Sequence, residues 1–418
     1  MLYINQSLVS EIRQKFCNVN TCPISGDRIF FENAGGALTL KSALETTTKF
    51  ASIPDNQGRD NAASKALNDV IKNAKSDLSA LFNTQSGEFF MGESGTELLF
   101  RLIRNAVLAS PSGGSIVGTS LEHPASRSAA KKWSNEMEYT YLSVPHCVKT
   151  GTVDPKNYAN KISDTTRVVT IVHASPVTGM GTKIKEISKI VRQKAPLAFI
   201  IVDGIQHAAH GGIDIESYDI DGYVISPYKM FSRHGFGIAW VSDRLRNAPH
   251  EKLDGGPSDN WELGTRDTGA YATMSNVKEY MCWLGKEFTK NNDSREQIKA
   301  AGAAIQDYER KMTDTLLHGL DNLKGLADFE DVEIIGGLNN SSREGLVSFR
   351  IKDYPSEKIV RYLNHQGIRT HTRKCDHYSE NILKPLGWDD CVRVSICHYN
   401  TLSEIKKFLS CMAAFRDK

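Results

Sequence analysis

Apolar positions recur with two different periods in the middle of the chain. The segments "GTELLFRLIRNAVLA" and "KIKEISKIVRQKA" space their apolar residues as one face of a helix does. The runs "RVVTIVHAS", "LAFIIVDG" and "GYVIS" are instead apolar at nearly every position, as in strands that are buried on both sides. This alternation predicts an α/β fold, in which helices cover both faces of a large and mostly parallel sheet.

The pattern changes after about residue 285. A long polar stretch there predicts one long helix or two in succession, and a last helix is expected from Leu402. Between them, strand candidates such as "EGLVSFRI" and "CVRVSIC" mix with helical segments. The sequence therefore predicts three parts, which are an N-terminal segment (1–25) that packs with the small domain, a large domain (26–285) and a small α+β domain (286–418).

The charge balance narrows the classes of partner. The chain has 418 residues, with 51 basic against 49 acidic side chains and a net charge of +2. It has no basic tail, which argues against nucleic acid or a membrane surface as a partner. No apolar run approaches the ~20 residues that span a bilayer, and the N-terminus lacks the pattern of a signal peptide, so we expect a cytosolic protein. The eight cysteines form no CxxC pair, so reduced thiols and no metal site are expected.

Polar side chains follow the predicted strands of the large sheet, where ligands bind in open α/β sheets. After "FFMG", Ser94, Gly95 and Thr96 open a helix, either as an ordinary helix cap or as an anion site at the helix N-terminus. Glu122 and His123 follow another strand, and a single histidine is more often structural than functional. Each of these features alone is compatible with a structural role.

Two further strand ends carry an acid and a lysine. Asp203 comes directly after "FIIV", and its carboxylate is either a helix cap or the partner of a cationic ligand nitrogen. Lys229, in "SPYK", is either a solvated loop lysine or an amine kept for covalent chemistry. Together, an anion cradle, a histidine, an acid and a lysine are the groups that bind pyridoxal phosphate, whose aldehyde forms a Schiff base with lysine. Burial and a neighbouring cation are expected to lower the pKa of such a lysine.

The order and spacing of these residues resemble the class V aminotransferase family, closest to its cysteine desulfurase-like and C–S lyase-like branch. The family pattern reads Asp-Gly-x-Gln and later Ser-x-His-Lys; here "DGIQ" begins at Asp203 and "SPYK" begins 23 positions later, at Ser226. The resemblance extends from "FFENAGGA" to "VRVSICHYNTLSEIKKFL". It implies the pyridoxal phosphate-dependent transferase fold of type I, with a large sheet of the seven-stranded type and a small C-terminal domain.

The resemblance assigns roles to the residues that match the cofactor-binding motifs. Lys229 matches the lysine that forms the Schiff base, and Asp203 matches the carboxylate paired with the pyridine nitrogen. Gln206 matches the donor to the 3′-oxygen of the ring, and His123 matches the histidine stacked on the ring. His123 is thereby also a candidate for protonating a leaving group.

The phosphate group of the cofactor has matching residues as well. Gly95, Thr96 and Ser226 match the phosphate-binding positions of the family. Thr265, in "WELGTRD", matches a threonine that reaches the phosphate bound by the partner subunit. The resemblance therefore implies a homodimer.

The substrate side is matched by four residues. Arg393 matches the arginine that clamps the substrate carboxylate, a role suited to a planar bidentate donor. Asn33 and Ala34, in "ENAGG", match the turn on the substrate side. Cys375, in "TRKCDHYS", lies near the position of the mobile catalytic cysteine of true desulfurases, and its basic neighbours favour a thiolate. The alternative for Cys375 is a loop cysteine near the mouth of the site.

Two departures from the family pattern bear on the reaction. Tyr228 stands where the family has histidine, and Pro176 stands where it has asparagine. The resemblance implies an enzyme that acts on an amino acid, first by cleaving a C–S bond of cysteine or a cysteine derivative through an aldimine at Lys229. The alternatives are transamination, epimerisation or another reaction at the α or β carbon. A non-catalytic binding protein of the same fold is a remote alternative, because Lys229, Asp203 and Arg393 are all present.

Overall fold

The structure is a computed structural model, and it describes residues 4–339 and 341–416. Its helices are, in chain order, α1 (Gln6–Gln14), α2 (Lys41–Ala51), α3 (Ala62–Phe82), α4 (Gly95–Leu108), α5 (Pro124–Glu136), α6 (Pro155–Ala159), α7 (Ile184–Lys194), α8 (Ile215–Tyr218), α9 (Asp243–Arg246), α10 (Thr268–Lys286), α11 (Ser294–His318), α12 (Ser356–His365), α13 (Glu380–Leu386) and α14 (Leu402–Arg416). Its strands are β1 (Thr21–Cys22), β2 (Gly26–Asp27), β3 (Ile29–Phe30), β4 (Glu88–Gly92), β5 (Ser115–Thr119), β6 (Thr140–Val144), β7 (Thr166–Val172), β8 (Phe199–Asp203), β9 (Gly222–Ile225), β10 (Gly237–Val241), β11 (Val332–Ile334), β12 (Leu346–Ile351), β13 (Ile368–Arg369), β14 (His371–Lys374) and β15 (Asp390–Ser395).

A seven-stranded sheet forms the centre of the large domain, in the order β4-β10-β9-β8-β7-β5-β6. β10 runs antiparallel to both of its neighbours, and the other strands share one direction. Successive side chains of β8 enter opposite faces, since Ile200 and Val202 pack into one apolar cluster and Ile201 packs into another. Both faces are buried, as the unbroken apolar runs predict, and the predicted α/β fold with a mostly parallel sheet is confirmed.

A smaller antiparallel sheet, in the order β11-β12-β15-β14, follows the long helix α11. Phe408 of α14 packs against Phe349 of β12, with ring centroids 6.5 Å apart. The last helix begins at Leu402, where the sequence predicts it, and the polar stretch after residue 285 forms the single helix α11. The strands and helices of this region form the small α+β unit that the composition change predicts.

The N-terminal segment contacts the C-terminal part of the chain. The Arg13 guanidinium on α1 donates to the Tyr399 carbonyl at 2.6 Å and pairs with Glu404 at 3.2 Å. β3 also pairs in parallel with β13 of the small domain. These contacts support the proposal that residues 1–25 pack with the small domain. The proposed boundary at residue 285 coincides with the end of α10 at Lys286.

All eight cysteines are free thiols. Within residues 4–339 and 341–416, none of the helices combines the length and the hydropathy that crossing a membrane requires.

Candidate active site

A cavity lies beyond the carboxyl ends of β5, β7, β8 and β9. Its walls bring together predicted site residues from four separate stretches of the chain, namely Thr96, His123, Asp203, Gln206, Ser226 and Lys229. The parallel strands cause this convergence, because their carboxyl ends meet at one edge of the sheet.

Lys229 ends a short 3-10 turn that begins directly after β9 and Ser226. Its backbone N–H donates to the Ser226 carbonyl at 2.9 Å, and its Nζ donates to Gln206 Oε1 at 3.3 Å. Removal of water from the amine and the nearby Arg393 guanidinium lower the pKa of Lys229 to about 7, although Asp203 opposes this shift. A large share of Lys229 is therefore an uncharged, nucleophilic amine at neutral pH.

Asp203 is the last residue of β8, and it is buried. Its Oδ1 accepts a hydrogen bond from the Ile205 N–H at 3.1 Å, and burial raises its pKa to about 6. None of the basic side chains in the described part of the chain forms an ion pair with it. A buried carboxylate without a cationic partner fits the protonated nitrogen of a ligand ring.

His123 is the N-cap of α5, and its Nδ1 accepts from the Ala125 N–H at 3.2 Å. Burial and the positive charges of Lys229 and Arg373 lower the pKa of His123 to about 3. The imidazole is therefore neutral at physiological pH, which suits a ring that stacks on an aromatic ligand. His123 thus has a structural role as a helix cap, and its ring also lines the cavity, so the ligand role stays a prediction that this cap does not oppose.

The N-terminus of α4 forms a cradle against β10 and the turn after β9. A Cβ atom at Gly95 would lie 2.4 Å from Ser226 Oγ, and one at Gly237 would lie 2.5 Å from the carbonyl carbon of Ser94. The backbones approach so closely that neither position has space for a side chain. Free N–H groups of α4 and the hydroxyls of Thr96 and Ser226 can bind a phosphate here.

Gly95→Ala tests this cradle. The added methyl group would press on Ser226, so we expect cofactor affinity to fall by at least about tenfold and stability to fall by about 1–3 kcal/mol. Spectroscopic titration with pyridoxal phosphate and thermal melting measure both effects. Gly212→Ala is the control, because no atom lies within 4 Å of the place that its added methyl group would take. Unchanged cofactor affinity in Gly95→Ala would contradict a phosphate site at α4.

Arg393 lies on β15 and is buried. Its Nη1 donates to the Pro176 carbonyl at 3.0 Å, and its Nε has no hydrogen-bond partner within residues 4–339 and 341–416. Burial and the neighbouring Arg373 lower the pKa of Arg393 to about 9, so it remains cationic at neutral pH. Because Pro176 lines the cavity, the Arg393 guanidinium bonded to its carbonyl lies beside the cavity. Pro176 therefore contributes a carbonyl where the family has an asparagine side chain.

The side chain of Asn33 is engaged within the protein. Its Nδ2 donates to the Ser395 carbonyl at 2.8 Å, and its Oδ1 accepts from the Tyr399 hydroxyl. The neighbouring Ala34 N–H donates to Ser395 Oγ at 2.9 Å. These bonds fix the turn against β15, the strand that carries Arg393. The structure therefore shows Asn33 and Ala34 holding this turn in place, and their role toward a substrate stays a prediction.

Six of the predicted site residues do not line the cavity, and two of these, Thr265 and Cys375, lie in other parts of the surface. Thr265 is exposed in a separate cleft with Gln57. Cys375 follows β14, and its N–H donates to the Asp389 carbonyl at 2.7 Å while its side chain packs partly against the apolar core. In the same turn, the ring of Tyr378 lies 6.0 Å from that of His123, which places this turn at the mouth of the cavity.

Glu122 is a buried acid that the sequence presents only as a neighbour of His123. Its Oε1 accepts from the Thr119 hydroxyl at 3.2 Å and from the Val172 N–H at 3.1 Å, while Oε2 has no partner among the described residues. Burial and the charge of Asp203 raise the pKa of Glu122 to about 8. Glu122 is therefore mainly protonated at neutral pH, and Asp203 remains the charged acid of the pair.

A chain of hydrogen-bonding side chains continues behind Gln206. Gln206 Nε2 lies 3.3 Å from His210 Nε2, and His210 Nδ1 lies 2.8 Å from Glu309 Oε2. Burial disfavours the charge of His210, but Glu309 outweighs this and raises the pKa of His210. The sequence indicates only that Gln206 and His210 are four positions apart, in "QHAAH"; it does not show that Glu309 on α11 is the partner of His210.

The tyrosine that departs from the family pattern has its own partner. The ring of Tyr228 stacks on His234, with centroids 4.2 Å apart and an interplanar angle of 15°. On its other side the Tyr228 ring is close to the turn at Gly36, since a Cβ atom added at Gly36 would lie 3.2 Å from it. Tyr228 also lines one side of the cavity.

The cradle, the unpaired Asp203 carboxylate and the Lys229 amine together fit pyridoxal phosphate.

Comparisons with known proteins identify the family and the fold of the chain. The family model described as aminotransferase class-V matches residues 29–408. A cysteine desulfurase-like protein, ustD, from Aspergillus flavus is 27% identical over 409 residues, which covers 93% of this chain and 87% of that protein. A cysteine desulfurase from Haloferax volcanii is 26% identical over 324 residues, covering 73% and 68% of the two chains. The apo structure of a cysteine desulfurase from Thermococcus onnurineus superposes with a TM-score of 0.81 at 19% identity, over 99% of both chains.

Proposed function

Because the chain belongs to the class-V aminotransferase family, whose members include pyridoxal phosphate-dependent enzymes, we propose that it cleaves the C–S bond of cysteine or a cysteine derivative. The observation that carries the proposal is one cavity in which a lysine amine with a pKa of about 7 faces an unpaired, buried aspartate. Relatives described as cysteine desulfurase or cysteine desulfurase-like support the choice of substrate.

The cofactor would be held by groups from several elements. Asp203 would pair with the ring nitrogen and His123 would stack on the ring, while the N-terminus of α4 and Ser226 would bind the phosphate. When bound, pyridoxal phosphate supplies an aldehyde that joins to Lys229 and a ring that withdraws electrons from the substrate. We also propose a cytosolic homodimer, to which Thr265 would contribute the phosphate contact of the partner site.

The residues of the chain perform the binding and the proton transfers. Arg393 binds the α-carboxylate of the substrate through its planar guanidinium. Lys229 takes the proton from Cα and returns it, because an amine with a pKa of about 7 is present in both protonation states at neutral pH. His123 is neutral and borders the same cavity, so it can donate an N–H to a leaving group.

Product analysis tests the proposed reaction. The holoenzyme is incubated with L-cysteine, and sulfide, alanine, pyruvate and ammonia are measured. Alanine with transferable sulfur identifies a desulfurase, and pyruvate with ammonia identifies β-elimination. Either result supports C–S cleavage. A keto acid that retains the sulfur, or D-cysteine, would contradict it and indicate transamination or epimerisation.

The pH dependence of cofactor attachment follows from the pKa of Lys229. Only the unprotonated amine attacks an aldehyde, so the attachment rate of pyridoxal phosphate to the apoprotein is expected to rise with pH around a midpoint of about 7. The adduct is trapped with borohydride at each pH and counted by mass spectrometry. An ordinary lysine would place the midpoint above pH ~10, and a midpoint in that range would contradict a perturbed amine.

Cys375→Ser tests the sulfur-accepting role that we propose for this residue at the cavity mouth. With L-cysteine as substrate, sulfur transfer is expected to fall by at least about 10²-fold, because the hydroxyl is a far weaker nucleophile than a thiolate. The amount of cofactor bound should stay the same. Cys147→Ser, at an exposed cysteine that does not line the cavity, is the control and should leave sulfur transfer unchanged. Unchanged transfer in Cys375→Ser would exclude a persulfide at this position.

A further inference from the structure

The side chain of Gln206 lies between Lys229 and a buried histidine. Its Oε1 accepts from Lys229 Nζ at 3.3 Å, and its Nε2 lies 3.3 Å from His210 Nε2. Gln206 and His210 flank the 3-10 turn His207–Ala209, and both are buried. Gln206 lines the cavity and His210 does not, so one amide connects the cavity to a histidine behind its wall.

Glu309 of α11 holds the other side of the His210 ring. Its Oε2 lies 2.8 Å from His210 Nδ1, and its side chain is buried as well. The backbone at Gly345 packs against the pair, because a Cβ atom added there would lie 2.9 Å from Glu309 Oε2 and 3.0 Å from His210 Nδ1. The imidazole therefore has a fixed place, and what can change is which of its nitrogens carry hydrogen.

The charges around this pair favour an added proton on it. The titratable side chains around His210 are those of Glu309, Glu344, Lys229, Cys397 and His398. Burial lowers the pKa of His210, but the carboxylates of Glu309 and Glu344 outweigh this and raise it, against the opposing charge of Lys229. Burial raises the pKa of the Cys397 thiol and lowers the pKa of His398 to about 3, so both of these are uncharged at neutral pH.

The amide of Gln206 can face Lys229 and His210 in two ways, because its oxygen only accepts and its N–H2 group only donates. In the arrangement that the structure shows, the oxygen faces Lys229, and the N–H2 group donates to a His210 Nε2 without hydrogen. In the other arrangement the amide is turned over about its Cγ–Cδ bond, so that its oxygen accepts from His210 Nε2–H. An added proton on the pair favours the second arrangement, since two donors would meet in the first.

Pyridoxal phosphate carries an acceptor at the place where this choice matters. The ring carbon next to its aldehyde bears the 3′-oxygen, so this oxygen lies close to the nitrogen of Lys229 once the aldehyde has joined to it. The Oε1 of Gln206 is within hydrogen-bond distance of that nitrogen. An acceptor beside Gln206 is satisfied by the N–H2 group of the amide and repelled by its oxygen. The bound cofactor therefore needs the second arrangement.

We propose that His210 and Glu309 are positioning residues for the cofactor. They share one added proton, and His210 Nε2–H then holds the Gln206 oxygen, so that the N–H2 group of Gln206 is turned towards the 3′-oxygen. The inference rests on the proposed function, because it needs the cofactor on Lys229. The proton comes from solvent, since His210 and Glu309 also border a separate surface cleft with Lys183.

A cofactor analogue without the 3′-oxygen tests this role. The affinity of the apoprotein is measured by spectroscopic titration with pyridoxal phosphate and with 3-deoxypyridoxal phosphate, and the ratio of the two affinities is compared between variants. His210→Asn keeps a donor for Glu309 at the place of Nδ1 and loses the group that faces Gln206, so the ratio should fall about tenfold. Gln206→Leu should lower the ratio as much, and the double variant should lower it no further, because His210 acts through Gln206.

Two conservative variants show which atom matters. His210→Gln places an amide near the position of Nε2, where it can donate to Gln206, and it should keep most of the ratio. Glu309→Gln carries an N–H that can donate to His210 Nδ1, as a protonated Glu309 would, and its ratio should stay within about threefold of the normal value. A ratio in Glu309→Gln as low as that in His210→Asn would show that the pair shares no proton.

The control is His207→Asn, at a histidine of the same turn. Its Nδ1 pairs with Glu344 at 2.9 Å and its Nε2 faces the Gly212 carbonyl at 3.2 Å, so the ratio should not change. A histidine that only stabilises the fold would weaken the binding of both compounds equally. An unchanged ratio in His210→Asn, or an equal fall in His207→Asn, would therefore overturn the inference while the proposed function stands. If the unchanged protein binds neither compound, the proposed function is wrong, and the inference is wrong with it.

Discussion

Lys229→Ala is expected to lower kcat/KM by at least about 10⁴-fold, the upper end of what one acid–base group contributes, because the variant loses both the attachment point and the proton carrier. Steady-state rates with the best substrate of the product assay measure the effect. The cofactor should still bind through Asp203 and the cradle at α4, so it should remain bound but dialysable. Added ethylamine should restore part of the rate, since a small amine can occupy the space of the lost side chain.

The control for this variant is Lys185→Ala, which removes an exposed lysine on α7. Its rate and its cofactor content should equal those of the unchanged protein. A Lys229→Ala protein that retains more than about a tenth of the normal rate would contradict the role of Lys229, because the proton transfers would then not depend on this residue.

Arg393→Ala is expected to lower kcat/KM by about 10²-fold to 10³-fold, mainly through KM. The physical reason is the loss of two charge-assisted hydrogen bonds to the substrate carboxylate, at about 1.5–3 kcal/mol each before relaxation. The carbonyl of Pro176 also loses its donor, which adds a structural cost. Arg393→Lys keeps the charge but not the fork, and it should recover only part of the loss.

A substrate pair separates binding of the carboxylate from damage to the fold. L-Cysteine has the carboxylate and cysteamine lacks it, so the ratio of their kcat/KM values should fall in Arg393→Ala. Arg361→Ala, an exposed arginine on α12, is the control and should leave the ratio unchanged. An unchanged ratio in Arg393→Ala would show that another group binds the carboxylate.

The residues at the ends of β8 and β9 could be predicted from the sequence because their positions depend on local pattern. Asp203 ends the apolar strand β8, and Lys229 ends the turn after the apolar strand β9. Both residues therefore lie at the edge of the sheet. The α/β class follows from the same runs. At Ser94 and His123 the structure shows the helix caps, and the ligand-binding interpretation of each stays a prediction.

The unforeseen features depend on contacts between distant parts of the chain. The protonation of Glu122 results from its burial beside Asp203, and no local pattern shows this proximity. The position of Arg373 depends on the register of β14 with β15, which pairs it with Cys391. Likewise, His210 shares a hydrogen bond with Glu309 on α11, which lies 99 positions later in the chain. Such pairs arise from tertiary packing, which one sequence alone does not specify.

The central claim is that Lys229 is the residue that carries the cofactor. Its most direct test is borohydride reduction of the holoenzyme, followed by digestion and mass spectrometry of the peptides. We predict one peptide with the added mass of the reduced cofactor, with the modification on Lys229, and no such peptide from Lys229→Ala. A reduced cofactor found on another lysine, or the same adduct in Lys229→Ala, would contradict the account.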